Sequence, residues 1–151
     1  MYNFDMLANA QKHTPHSFFW LSRILIAIVL FWNLQAAILF MTAPQDYTAA
    51  FELTGIPGDT VVIGFGILFL MWQVPYLFAL NNPSKYMISL YEAIFMQAIG
   101  FIAESLLYSR LLPVHSVLRG SILRFIVFDG IGLLLLVCAR CLLLIKTKEA
   151  G

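Results

Sequence analysis

The sequence predicts an all-α integral membrane fold: an antiparallel bundle of four transmembrane helices with a short interfacial helix in the first outer loop. Three observations carry that prediction. Of 151 residues, 61% are hydrophobic and 11% are charged, whereas soluble domains carry about 25% charged residues. A chain of this size cannot hide so much apolar surface in one core, because small domains leave much of their surface exposed. The apolar residues also fall into four runs, each long enough to cross a hydrocarbon core of roughly 30 Å at about 1.5 Å per residue.

In chain order, residues 1–16 read as an interfacial segment, with Tyr2, Phe4, Met6 and Leu7 able to lie on a membrane surface. The first run covers residues 17–41. It is too long for a signal-peptide core and no small-residue cleavage site follows it, so it reads as a retained helix. Thr42-Ala43-Pro44-Gln45 has the form of a capping box, with Pro44 suited to early helix. Tyr47, Phe51 and Thr54 then share a helical face, and Gly55 and Pro57 end it. A short surface helix is therefore expected over residues 43–54. The second run is 60–80, where Pro75 removes a backbone hydrogen bond to Met71 and predicts a kink. Asn81-Asn82-Pro83-Ser84 is a turn by composition. The third run is 85–108 and the fourth is 121–145. Between them, residues 109–120, with Pro113 and His115, read as a second short surface segment. The expected organisation is thus 1–16, a membrane domain 17–145 and a tail 146–151.

Four spans put both termini on one side. That side holds Lys12, Lys85, Lys146 and Lys148, with Arg23 and Arg140 just inside the membrane. The opposite side holds Asp46, Glu52 and Asp59 in its first loop, and Arg110 and Arg119 in its second. The positive-inside rule then places both termini in the cytoplasm. A net charge of +1 provides no basic footprint for nucleic acid.

Six ionisable residues lie within the runs: Arg23, Glu92, Glu104, Arg124, Asp129 and Arg140. An unpaired charge at depth costs on the order of 2.5–3.5 kcal/mol on insertion scales. Depths estimated from helix rise sort them into an inner layer of Arg23, Glu92 and Arg140 and an outer layer of Glu104, Arg124 and Asp129. Glu92 is expected to meet Arg23 or Arg140, and Glu104 or Asp129 to meet Arg124. Asp129 and Arg140 are separated by only about 20° around their helix. Gln97, Gly100 and Glu104 share a face of the third span, and Glu92 points more than about 100° away, toward another helix gap or a partner subunit. The bland reading is that such pairs fix helix register; the sharper one is a proton path or polar ligand site.

Cys138 and Cys141 are the two cysteines, in Cys138-Ala139-Arg140-Cys141. A C-x-x-C beside an arginine can lower a thiol pKa and run disulfide exchange. The motif resembles that of vitamin K epoxide reductases, which carry C-x-x-C on the last of four spans; the relay pair of that family is absent. Buried apolar cysteines are also common. The histidines, His13, His16 and His115, all lie outside the runs, so no span supplies a haem or metal ligand of that kind. No cofactor or metal is expected to be held by the chain itself.

Arg23 and the run Tyr47-Thr48-Ala49-Ala50-Phe51-Glu52-Leu53-Thr54-Gly55-Ile56-Pro57 resemble the DoxX-like group of small four-span bacterial membrane proteins. The resemblance covers the first half of the chain. It implies a bacterial cytoplasmic membrane and an association with quinone or thiol redox systems. The sequence departs from the group's pattern at the second span, where Trp72 and Gln73 stand in place of an acidic residue. With Tyr76 and Gln97 they are the candidate lining of a hydrophobic-ligand site. The chain also has the length and span number of glutathione-linked eicosanoid enzymes, but it lacks their Arg/Asn/Glu array. The leading functional reading is a non-catalytic membrane subunit or partner-binding protein, accessory to a larger redox or energy-conversion assembly, with lipid and other subunits or copies of itself as partners. The alternatives are a quinone- or thiol-linked oxidoreductase component and a small proton-coupled transporter.

Overall fold

The computed structural model describes residues 15–149. The segment 1–14, and with it most of the expected interfacial segment, lies outside the described residues, as does the end of the tail from residue 150. The described residues are helical and contain no strand. Helix α1 covers Pro15–Thr42, α2 covers Gln45–Thr48 and continues as a 3-10 turn over Ala49–Phe51, α3 covers Gly55–Asn81, α4 covers Met87–Arg110, and α5 covers Ser116–Glu149. Four of these (α1, α3, α4 and α5) are long and apolar enough to cross a membrane.

The long helices form a closed ring of neighbours: α1 packs on α3 and α5, and α4 packs on α5 and α3. Contacts pair the start of α1 with the ends of α3 and α5. The Arg23 Nε–H donates to Leu80 O at 2.8 Å, and the Ser22 hydroxyl donates to Ala139 O at 2.9 Å. Near the other end of α1, Phe40 stacks on Phe69 of α3 and meets Phe125 of α5 edge-on. The core is narrow. Ile26, Val29, Tyr76, Leu90, Ala93 and Leu136 lie at its centre. Gly66 lets α3 approach α1, because a side chain there would collide with Ala37 and Met41. Most of each apolar run faces outward instead, with Phe31, Met71, Ile88, Phe95, Ile99 and Leu134 all exposed. Helices apolar all round are the kind found inside large cores or in lipid.

The loop between α1 and α3 is helical, as expected, but shorter than 43–54 and differently capped. Thr42 does not start it. Thr42 continues α1, and its hydroxyl donates back to Ile38 O at 2.8 Å. Pro44 precedes α2 without a side-chain cap. Tyr47 packs on Phe40, and Phe51 packs on Phe65 and Phe125. Thr54 is exposed, and the buried threonine is Thr48, whose hydroxyl bonds to Asp59 at 2.7 Å. Glu52 ends the turn in the left-handed region at φ 56°. Helix α3 begins at Gly55, five residues before the expected start, and runs unbroken through Pro75.

The second expected surface segment, 109–120, is largely absorbed into helix. α4 runs to Arg110 and α5 starts at Ser116. The early start of α5 has a tertiary cause. Glu52, from the other loop, accepts the Leu118 N–H at 3.2 Å, satisfying an amide in the first turn of α5. Its other oxygen is 2.6 Å from His115 Nδ1. The His115 hydrogen bond, then that of Leu118, holds the Glu52 carboxyl below its ordinary range. A group whose folded pKa is depressed stabilises the fold above its unfolded value and loses that contribution as pH falls through the folded one. The tether should therefore hold at neutral pH and fail below about 4.5, the unperturbed value. Amide hydrogen exchange at Leu118 checks this: protection should drop across that acid window, and Glu52→Gln should show lower protection than native at neutral pH and no drop across the window.

Candidate functional site

One polar side chain from each long helix meets in the interior. Asn33 of α1, Tyr76 of α3 and Gln97 of α4 are all buried, with Tyr76 only 1% exposed. The Tyr76 hydroxyl donates to Gln97 Oε1 at 3.1 Å and lies 3.4 Å from Ala93 O. Asn33 lies beside the same tyrosine, within reach of its hydroxyl. On its far side Gln97 faces Asp129 of α5, and the two side chains interact. Gln97 Nε2 has no well-aligned acceptor of its own. Glu104, on the same face of α4, lies within electrostatic reach of Asp129, and its Oε2 is buried without a hydrogen-bond partner.

Two glycines make room for this chain. The Asp129 carboxylate packs directly over Gly100, and the Gln97 amide packs directly over Gly132. Either position would be filled by a β-carbon. The face Gln97–Gly100–Glu104 expected from helical spacing is therefore the face that meets α5.

The expected charge pairing is not what the structure has. Among the described residues the one ion pair is His115–Glu52, outside both layers. Arg23 spends its hydrogen bond on Leu80 O, a carbonyl near the α3 C-terminus that lacks a helical partner, and stacks over Trp20 at 4.6 Å. Arg140 Nε donates to the Tyr91 hydroxyl at 2.8 Å and lies 5.3 Å over the same ring. Glu92 is exposed on the outer face of α4. It cannot reach Arg23, because α1 and α4 share no substantial face in the ring of helices. Arg124 donates to the Ser121 hydroxyl at 2.9 Å, not to Glu104 or Asp129. Five residues separate Arg124 from Asp129, which is about 140° around a helix at 3.6 residues per turn. Their rotation about the helix axes points them to different gaps.

Of the expected hydrophobic-ligand lining, Tyr76 and Gln97 come together. Gln73 is buried but bonds to Phe69 O at 2.6 Å within its own helix. Trp72 is 47% exposed and packs on Phe69 at the surface. Cys138 and Cys141 are both exposed thiols on α5, away from the polar chain. Among the described residues no group of three His, Cys, Asp or Glu side chains could hold a metal ion. The sequence reading passed over Asn33, although a lone asparagine within an apolar run was itself a signal.

A second feature lies between α1 and α5 beneath the short α2. Two adjoining cavities of about 460 and 330 Å³, both open to the outside as clefts, share Ala36, Phe40, Tyr47, Phe128 and Arg124 as walls. Trp32 lines the larger one, and Asp46 and Phe51 line the smaller. No family model, no curated protein and no solved structure matches this chain.

Proposed function

We propose that the chain is a multi-pass membrane protein whose four long helices cross a bacterial cytoplasmic membrane as an antiparallel bundle, with both termini inside, and that it is a proton-coupled component of that membrane. One observation carries the proton reading: Asp129, packed over Gly100 of α4, and Glu104, one turn further along that helix, are partly buried on facing helices, and neither has an ion-pair partner among the described residues. Burying two negative charges without a counter-ion costs several kcal/mol per ion. A proton taken up by the pair relieves that cost, and intramembrane carboxyls facing a bundle interior commonly mark proton routes. Tyr76, Gln97 and Asn33 extend the pair as a line of hydroxyl and amide groups toward the opposite half of the bundle. The outward-facing apolar surface supports the membrane reading, since a soluble monomer rarely exposes large contiguous apolar area.

A second observation favours an accessory-subunit role for the same protein. Glu92 stands among Ile88, Phe95 and Ile99 on the outer face of α4, all strongly exposed. A carboxylate on a lipid-facing surface is costly, and a cation on a partner subunit would offset it.

Reconstitution in vesicles containing a pH-sensitive dye tests the proton reading. An imposed potential should acidify vesicles carrying the protein faster than protein-free vesicles. Asp129→Asn, if still monodisperse, should fall to the protein-free rate, and Arg124→Gln should not. Native protein no faster than empty vesicles would refute the reading. The same preparation bears on the accessory role, where a copurifying membrane protein should be lost on Glu92→Gln.

A further inference from the structure

The paired cavities under α2 differ in kind from the interior polar chain. Their walls are aromatic, with Trp32, Phe40, Tyr47 and Phe128 lining the larger one, and their one cation is Arg124. The guanidinium is held in place from one side. Its Nη2 donates to the Ser121 hydroxyl at 2.9 Å, and that hydroxyl in turn donates to Ala50 O at 2.6 Å. This anchors the arginine to the 3-10 turn that follows α2. No carboxylate lies within ion-pair distance of it among the described residues, including Asp46 in the adjoining wall. Arg124 is exposed and lines both cavities, and Ser121 is the one protein partner its guanidinium has among the described residues.

We infer that this cavity binds a single-chain amphiphile with a carboxylate head, of the fatty-acid class, its head on Arg124 and its tail between the aromatic walls of α1 and α5. The chemistry follows from the parts. A planar guanidinium with free N–H groups matches one carboxylate in a two-bond fork. Cavities of roughly 300–1,000 Å³, mostly apolar with a few placed polar groups, are the usual size and character of small-ligand sites, and the larger one here is about 460 Å³. Asp46 beside the smaller cavity disfavours a head carrying a second negative charge. The site does not depend on the proton reading, because none of its walls belongs to the polar chain.

The test uses tryptophan fluorescence and a brominated fatty acid, which quenches rings it touches. The full chain carrying Trp20→Phe and Trp72→Phe retains Trp32 as its one tryptophan. In phosphatidylcholine nanodiscs, brominated palmitate should quench Trp32 saturably. The methyl ester of the same probe, on the same protein, should bind at least tenfold more weakly, as should the acid on Arg124→Gln. The ester comparison needs no change to the arginine, so it stands even if Arg124→Gln fails to fold. Equal quenching by acid and ester would overturn the inference by showing that Trp32 meets only bulk chains. Saturable quenching by brominated phosphatidylglycerol but not by palmitate would also overturn it, assigning the site to a phospholipid headgroup. Displacement of quenching by a quinone and not by unbromated palmitate would do the same.

Discussion

Gly66→Ala should lower the stability of the folded chain by about 1–3 kcal/mol, whereas Gly64→Ala should leave it unchanged or raise it by up to about 1 kcal/mol. The two glycines lie two residues apart in α3, so the substitutions alter composition and hydropathy identically. They differ in what a methyl group meets. At Gly66 a β-carbon would stand 2.6 Å from Met41 Cγ, 2.8 Å from Ala37 O and 3.1 Å from Met41 N. Two of those three atoms are backbone of α1, which cannot swing aside, so the helices must separate. At Gly64 nothing lies within 4 Å, and alanine gains helix propensity over glycine. Reversible unfolding in mixed detergent micelles measures both. Equal effects at the two positions would show that α1 and α3 do not pack at Gly66.

Tyr76→Ala should be the most damaging single truncation in the core, at about 3–5 kcal/mol, the cost of emptying a buried aromatic site. Among the described residues Tyr76 is the largest fully buried side chain, and it belongs to the core from α3. Tyr76→Phe separates packing from hydrogen bonding. The ring stays, and the hydroxyl that donates to Gln97 Oε1 is lost. An acceptor stripped of its partner in a buried site costs about 1–3 kcal/mol. Unfolding midpoints should therefore order native, then Tyr76→Phe, then Tyr76→Ala. A Tyr76→Phe variant as stable as native would mean that the Asn33–Tyr76–Gln97 connection contributes no net stability.

The number and approximate bounds of the four long helices were legible in the sequence, because each follows from the length of one continuous apolar run. So was the sharing of one α4 face by Gln97, Gly100 and Glu104, since the positions of residues around a helix depend only on their spacing. The outward position of Cys138, about half a turn from Asp129, follows from the same rule. What spacing along the axis could not supply was the identity of each neighbour. Arg124 was expected at the depth of Glu104 and Asp129, yet it lines a different gap and bonds to Ser121. Arg23 was expected at the depth of Glu92, but its helix packs on α3 and α5, and it bonds to a carbonyl of α3 instead of a carboxylate.

The loops diverged for a related reason. The Thr42 capping pattern was present in the letters, but α1 ran through it and the hydroxyl bonded backward to Ile38. The start of α5 at Ser116 depends on Glu52, a residue 66 positions before the Leu118 amide it accepts. Local sequence therefore determined the four long helical runs, though not where they end, and which residues share a face of each, because periodicity and apolar length are one-dimensional properties. The tertiary structure alone decided that Asn33, Tyr76, Gln97, Asp129 and Glu104 come near one another across the bundle and that Arg124 lines a separate aromatic cavity. Those outcomes depend on the order of helices around the ring and on the rotation of each about its axis.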